Sequence, residues 1–273
     1  MASPAPGRSG FRQVEQIMGT AIGLDVRGTV PQPAVVEAFF EALRWADRTF
    51  STYRDDSEIS RIGRGKLAEA DASPEVRGVL ARCDDVARTT GGAFDARGHR
   101  KDGRLDPSGL VKGWAVERAA GLLDAAGLTD YAINAGGDVL ARGEPEPGRP
   151  WRVGIRHPVE ADRVAAVLLV RDLAVATSGL YERGDHILDP VTGAAPEELA
   201  SLTVVGPSLA LADAYATAAF TMGRAGLAWI HAHPGYGALA IDSAEQVLWT
   251  PRIDGLRERG AEPVVDVAGP GAA

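Results

Sequence analysis

The stretch from Asp106 to Asp138 decides the fold of this chain, and it reads Asp106-Pro-Ser-Gly-Leu-Val-Lys-Gly-Trp-Ala-Val-Glu117, a helical run to Gly127, then Asn134-Ala-Gly-Gly-Asp138. A turn rich in Gly and Pro opens a helix, and the strand that follows delivers an Asn and an Asp around a Gly pair. A helix start exposes unpaired backbone N–H groups and the positive end of the helix dipole, which suits phosphate groups. Gly pairs at strand ends let a flat or charged ligand approach the backbone closely. The stretch therefore indicates a ligand site.

Outward from this stretch, helices and antiparallel-type strands follow one another without a regular β-α-β alternation. This order predicts an α+β fold with mixed, largely antiparallel sheets packed with helices in two intimately associated subdomains. Helices are predicted from Pro33 by the 3.6-residue spacing of apolar residues, and from Ser73 as N-cap to about Thr89. Two more are predicted over 111–126 and over 208–222. Strands are predicted over 14–27 (broken at Gly19), 131–134, 151–155, 164–170, 174–177, 202–205, 237–242 and 246–250.

Length, apolar content and net charge limit the classes to which this protein can belong. The 273 residues, 45% of them apolar, predict one domain over 13–261 with a mobile tail over 1–12 and a flexible tail over 262–273. A net charge of −8 argues against a nucleic-acid binder, whose affinity depends on neutralising phosphates. We find no apolar run of signal-peptide or transmembrane length and no lipidated Cys, and we therefore expect a cytoplasmic protein without membrane insertion.

A single cysteine, Cys83, excludes an intramolecular disulfide framework and a multi-Cys zinc site. It lies in a helical pattern of apolar residues. We therefore expect a buried or half-buried packing role for it rather than a catalytic one.

Two constellations of polar residues could carry chemistry. Asp213 and Thr217 lie four residues apart, on one face of a predicted helix. Their oxygens suit Mg²⁺, but a dipole-favouring Asp and a buried Thr bonded to a backbone carbonyl also explain the spacing. His186 precedes an Asp-Pro turn and could act as a general base or be a solvated surface His. Spacing alone leaves both pairs of alternatives open.

A longer ordered set of motifs resembles one protein family. The motifs are Met18-Gly-Thr20, Phe50-Ser-Thr-Tyr-Arg54, Ser57-Glu-Ile-Ser60, Gly91-Gly-Ala-Phe-Asp95, Gly109-Leu-Val-Lys-Gly-Trp-Ala-Val-Glu117, Asn134-Ala-Gly-Gly-Asp138, Pro150-Trp-Arg-Val-Gly-Ile155, Ala176-Thr-Ser-Gly179, His186-Ile-Leu-Asp-Pro190 and Ala212-Asp-Ala-Tyr-Ala-Thr-Ala218. In number and order they are similar to those of the FAD:protein FMN transferase family, once called thiamine-biosynthesis lipoproteins. The resemblance spans roughly residues 14–241, nearly the whole chain.

The resemblance implies a Mg²⁺-dependent transferase that modifies other proteins. Such an enzyme binds FAD as its substrate, splits the pyrophosphate, attaches FMN through a phosphoester to a Thr or Ser of an acceptor flavoprotein, and releases AMP. This chemistry needs a cation near the phosphates and a base for the acceptor hydroxyl. Acceptor sites of the family resemble Asp-x-x-Ser/Thr-Gly-Ala-Ser/Thr. The residues alone leave two alternatives open, an FAD pyrophosphatase giving FMN and AMP and a flavin-binding carrier without chemistry.

The resemblance also implies roles for individual residues. Asp213 and Thr217 match the metal-binding helix of the family, with the Ala115 carbonyl as a backbone ligand, and Asp213 is counted with the catalytic residues. His186 occupies the position of the catalytic base. Eight residues match positions that contact FAD, namely Met18, Tyr53, Ala93, Phe94, Asp95, Lys112, Arg118 and Ile187. We expect Lys112, Tyr53 and the 134–138 strand end to converge at this site.

Two features depart from the family pattern. Between Asp95 and the Lys-Gly motif the family has a longer apolar segment, whereas this chain has a short polar run over 96–105. Ser108 replaces a Gly of the family motif. Part of the flavin or acceptor surface is therefore expected to differ.

Overall fold

The computed structural model describes residues 9–97, 105–160, 162–179 and 196–258, and seven α-helices and ten strands form within them. The helices are α1 Pro33–Phe50, α2 Glu58–Gly63, α3 Pro74–Thr89, α4 Ser108–Ala125, α5 Leu209–Thr221, α6 Ala225–His231 and α7 Pro251–Asp254. The strands are β1 Gly10–Ile17, β2 Thr20–Arg27, β3 Tyr131–Ala135, β4 Asp138–Arg142, β5 Trp151–Arg156, β6 Val164–Val170, β7 Ala174–Gly179, β8 Leu199–Gly206, β9 Gly237–Asp242 and β10 Val247–Trp249.

The strands confirm the α+β prediction. Eight of them form one sheet in the order β1-β2-β3-β4-β7-β8-β9-β10, and β5 and β6 form a separate two-stranded sheet. Each neighbouring pair is antiparallel. The sheet therefore grows by hairpins and by longer connections that carry the helices.

Two hydrophobic cores lie on the two faces of the large sheet, because successive side chains of a strand point to opposite faces. In β4, Leu140 belongs to the core that contains the helices α1, α3, α4 and α5, whereas Val139 and Ala141 belong to the core that contains β5 and β6. The same alternation continues in β7, β8 and β9. Helices α1, α3, α4 and α5 thus cover one face of the sheet, and the β5–β6 hairpin covers the other together with Ile253 of α7.

Side-chain caps fix where several helices begin. Ser73 precedes α3 and its Oγ accepts a hydrogen bond from the Val76 N–H (3.4 Å), as the sequence predicted. Ser208 precedes α5 in the same way and accepts from the Leu211 N–H at 3.3 Å. Helix α4 begins at Ser108, three residues before the predicted start, because the Pro107 carbonyl already accepts from the Val111 N–H at 3.0 Å.

The prediction of a mobile N-terminal tail over 1–12 is wrong for residues 10–12, which belong to β1. Strand β1 begins at Gly10, where it pairs with Arg27, and the Phe11 side chain packs against the helix-side core. This apolar contact and the complete hairpin register explain why the segment is ordered there. Residues 1–8 and the predicted C-terminal tail over 262–273 lie outside the described residues. Among the helices that are described, none combines the length and apolarity needed to cross a membrane.

Cys83 is buried in α3 with 1% exposure, as its helical pattern predicted. Burial raises the pKa of its thiol to about 12. Because a thiol in this state is almost wholly protonated at neutral pH, Cys83 is a packing residue and not a nucleophile.

Candidate active site

A cavity of about 490 Å³ lies on the helix side of the large sheet. Its walls come from the last turn of α1, the first turn of α4, one face of α5 and the end of β7, with the β1–β2 turn and the loop after α1 at its rim. Six residues that the sequence predicted for the site line it together, namely Met18, Tyr53, Phe94, Lys112, Asp213 and Thr217. The fold thus brings together segments that lie up to two hundred residues apart in the chain.

The close packing of α4 against α5 places two of these residues opposite each other. A Cβ atom at Gly113 would stand 2.5 Å from the Leu209 carbonyl oxygen, so the two helix backbones are almost in contact there. At Gly109, one turn earlier in α4, a Cβ atom would stand 3.5 Å from Oγ1 of Thr217, which lies later in α5 than Leu209. Because the contacts advance in opposite directions along the two helices, α4 and α5 run antiparallel. Lys112 therefore faces Asp213 across the helix pair.

Lys112 joins two buried carboxylates. Its Nζ lies 2.5 Å from Asp138 Oδ2 and 3.8 Å from Asp213 Oδ2. The side chains of both aspartates are almost fully buried, with 2% and 7% exposure. Buried carboxylates need compensating charge, and Lys112 supplies it on the wall of the cavity.

Asp213 and Thr217 form an oxygen-rich face of α5, four residues apart as the sequence predicted. Thr217 Oγ1 lies 3.4 Å from Ser178 Oγ of β7, so a carboxylate and two hydroxyl groups lie close together on one side of the cavity. These hard oxygen ligands fit a small divalent cation such as Mg²⁺. No group of three or more His, Cys, Asp or Glu side chains suited to a metal occurs among the described residues. Mg²⁺ is commonly held by one or two carboxylates together with phosphate oxygens of a substrate.

The first turn of α4 opens onto the cavity through Ser108 and Gly109. Its N-cap residue, Pro107, provides no side-chain acceptor, and the first turn contains no acidic residue. The Asp106 carboxylate before it accepts a hydrogen bond from the Ser108 N–H at 3.1 Å. The positive end of a long helix thus faces the cavity, as expected for a site that binds phosphate groups.

A strained hairpin turn forms part of the rim. Met18 and Gly19 connect β1 to β2 in a two-residue turn, and both have positive φ values, 55° and 71°. Positive φ at both positions matches the right-handed twist of the flanking strands, but it is uncommon for a side chain such as that of Met18. The turn holds Met18 at the cavity wall.

Tyr53 lies at the rim as well, in the loop after α1, and it is 86% exposed. The backbone N–H groups of Tyr53 and Arg54 both donate to Ser51 Oγ at 3.2 Å, which fixes the loop locally. An exposed aromatic ring on a fixed loop is suited to stacking on a flat ligand.

Several residues predicted for the site are not among those that line this cavity. Ala93 is half-buried and its carbonyl accepts from Thr221 Oγ1, and Asp95 accepts from the Arg97 N–H at 2.7 Å. Ala115 is buried within α4. Arg118 lies over the rings of Trp45 and Trp114, 5.0 and 5.7 Å from their centroids. His186 and Ile187, in contrast, lie outside the described residues.

Other lining residues were not assigned to the site from the sequence. Thr177 and Ser178 line the cavity and belong to the motif Ala176-Thr-Ser-Gly179. The small and hydroxyl-bearing residues of this motif could have indicated that it contributes to the site. Asp138 was expected only as part of a strand end, and it proves to be the ion-pair partner of Lys112. Asp47 had no such signal, because it lies in the last turn of an ordinary amphipathic helix.

Comparisons with known proteins give one consistent family. The model of the ApbE family matches residues 18–100 and 96–240 of the chain. An FAD:protein FMN transferase of Rhodobacter capsulatus is 38% identical over 159 residues, covering 55% of this chain and 30% of that protein. One from Vibrio cholerae is 35% identical over 130 residues, covering 44% and 39%. The chain therefore aligns with well under half the length of these curated relatives.

Solved structures share the fold. The flavin transferase ApbE from Vibrio cholerae superposes with a TM-score of 0.81 at 24% identity, covering 91% of this chain and 99% of that one. The ApbE protein from Thermotoga maritima gives 0.81 at 23% identity, covering 92% and 100%. At these identities the likeness establishes the architecture.

Proposed function

The chain belongs to the ApbE family, and on that premise we propose that it transfers FMN from FAD to a Thr or Ser hydroxyl of an acceptor protein and releases AMP. Two curated relatives carry the name of this activity. The observation that supports it best is the convergence of a helix N-terminus, the Lys112 ammonium and the Asp213–Thr217 face in one cavity. Its volume of about 490 Å³ lies within the range of small-molecule sites.

The residues of the cavity would have different roles in binding FAD and Mg²⁺, according to their charge and position. The first turn of α4 and Lys112 would bind the pyrophosphate of FAD, since both present positive charge to the cavity. Tyr53 and Met18 at the rim would contact the flat parts of the ligand. Asp213 and Thr217, with the Ala115 carbonyl as the remaining predicted ligand, would hold Mg²⁺, which when bound neutralises negative charge on the phosphates.

The proposed reaction needs one general base, which accepts the proton of the acceptor hydroxyl group. The acceptor hydroxyl oxygen forms a bond to the phosphorus of the FMN half, and the bond from that phosphorus to the AMP oxygen breaks. The proton of the hydroxyl passes to His186, the predicted base, and AMP leaves as its anion. The other predicted FAD contacts, Ala93, Phe94, Asp95, Arg118 and Ile187, remain part of this proposal.

One incubation separates this function from its alternatives. The protein is mixed with FAD, Mg²⁺ and a peptide containing Asp-x-x-Thr-Gly-Ala-Thr, and both the peptide mass and the AMP released are measured. A matched peptide with Ala as its last residue is the control. We expect a flavin phosphoester on the Thr peptide alone, with equimolar AMP. Peptide-independent FMN and AMP would instead identify a pyrophosphatase, and FAD binding without any product would identify a carrier.

A further inference from the structure

Asp138 is fixed at the start of β4 by backbone geometry. The turn Gly136–Gly137, with φ values of 64° and 100°, connects β3 to β4 and brings Asp138 opposite Ala135. Asp138 Oδ1 accepts a hydrogen bond from the Thr177 N–H of β7 at 3.0 Å. The carboxylate is thereby held between two neighbouring strands, and it has little freedom to move.

The second oxygen of this carboxylate binds Lys112. The Nζ–Oδ2 distance of 2.5 Å to Asp138 is a direct ion pair, whereas the 3.8 Å to Asp213 is at the limit of one. The ammonium group therefore lies on the Asp138 side of the gap between the two carboxylates. An ammonium group and a divalent cation would compete for the same Asp213 oxygen, because each neutralises the same charge.

We propose that Asp138 is a positioning residue, which holds the Lys112 ammonium off Asp213 and so leaves the Asp213 carboxylate accessible to a divalent cation. The inference rests on the cation site of the proposed function. Among the residues that the structure describes, Asp213 is then the carboxylate that remains within ion-pair distance of Lys112. The ammonium would then move towards Asp213 and occupy the place of the cation.

Asp138→Asn separates this role from simple bracing of the sheet. The amide oxygen of Asn still accepts the Thr177 N–H, so the link between β4 and β7 is kept, and only the charge that attracts Lys112 is lost. The double variant Lys112→Met/Asp138→Asn removes the competing ammonium as well. It replaces a buried ion pair by two neutral side chains of similar size, which proteins commonly tolerate.

The test is the affinity of the metal-free protein for Mn²⁺, titrated alone without FAD and followed by the resonance signal of free Mn²⁺. We expect Asp138→Asn to bind Mn²⁺ about tenfold more weakly than wild type, because the ammonium then competes for Asp213. The double variant should bind at least as tightly as wild type. Equal affinity of Asp138→Asn and wild type, or a double variant as weak as Asp138→Asn, would overturn the proposal.

Two control measurements accompany the Mn²⁺ titrations, a titration of Asp213→Asn and melting curves of all variants. Asp213→Asn is titrated in parallel, and a wild type that binds no better than this variant would overturn the cation site itself together with the present inference. Melting curves show which variants are folded. If Asp138→Asn does not fold, Lys112→Met decides alone, since it should bind Mn²⁺ at least as tightly as wild type, and weaker binding would overturn the proposal.

Discussion

Gly113 of α4 lies so close to Leu209 of α5 that a Cβ atom at position 113 would stand 2.5 Å from the Leu209 carbonyl oxygen. The absence of a side chain lets the two backbones approach, and this approach sets Lys112 within 3.8 Å of Asp213. The same packing lets Glu117 Oε1 accept a hydrogen bond from the Leu209 N–H, which caps the start of α5. The geometry of the site therefore depends on one glycine.

Gly113→Ala should destabilise the protein. The added methyl group meets backbone atoms that cannot rotate away, and overpacking of this kind costs about 1–3 kcal/mol of the free energy of unfolding. Gly121→Ala is the matched control on the same helix, since nothing lies within 4 Å of a Cβ there and the residue is exposed. It should stabilise by up to about 1 kcal/mol through helix propensity. Urea unfolding of both variants measures the difference, and equal stabilities would contradict the close helix approach.

Tyr53→Ala should weaken FAD binding without affecting folding. The ring is 86% exposed at the rim of the cavity, so its loss removes little packing. Stacking of an aromatic side chain on a base is worth about 1–3 kcal/mol, which corresponds to about 5-fold to 150-fold in the dissociation constant. Fluorescence titration with FAD measures the change. Tyr53→Phe keeps the ring and should bind like wild type, and unchanged binding by Tyr53→Ala would exclude stacking there.

The architecture was largely predictable because its signals are local. The 3.6-residue spacing after Pro33, the Ser73 cap and the paired strands around Gly19 each depend on neighbouring residues, and each appears where the sequence placed it. The predicted start of α4 comes three residues after the observed start. The Pro107 carbonyl and the Asp106 carboxylate accept hydrogen bonds from N–H groups of the first turn, and apolar periodicity does not reveal such interactions. The tail was predicted too long because the contact of Phe11 with the core is made at a distance along the chain.

The site was predictable only where motifs were informative. The spacing of Asp213 and Thr217 already implied a shared helix face, and the family motifs singled out Lys112 and Tyr53. The ion pair between Lys112 and Asp138 joins a helix to a strand 26 positions later through tertiary packing. No spacing rule predicts such a contact. The roles of His186 and Ile187 stay predictions, since they lie outside the described residues.

FAD should bind more tightly than FMN. The adenylate half is the leaving group of the proposed reaction, and its phosphate adds a second anionic group for Lys112 and the first turn of α4. Calorimetric titrations of FAD and FMN, without Mg²⁺ to prevent turnover, compare the two affinities. FMN binding as tight as that of FAD would count against a transferase that cleaves FAD.

Cys83 should resist thiol reagents in the native protein. Burial raises the pKa of its thiol to about 12 from the ordinary value of 9.0, so the folded protein holds a proton that the unfolded chain releases between these values. Its contribution to stability is therefore complete below pH 9 and declines as the pH rises towards 12. At pH 8 a thiol reagent should label the protein only after urea unfolding. Rapid labelling of the native protein would contradict the burial of α3 against the core.

Asp213→Asn tests the central claim most directly, namely that Asp213 holds a cation against the pyrophosphate of FAD. The substitution is nearly isosteric, and Lys112 keeps its ion pair with Asp138, so the melting temperature should change little. A neutral amide is a poor ligand for Mg²⁺, and we expect AMP release and flavin transfer to fall at least ~10²-fold, about 2.7 kcal/mol of transition-state stabilisation. Near-normal Mg²⁺-dependent AMP release together with a lowered melting temperature would show that Asp213 only stabilises the helix, and it would contradict the account.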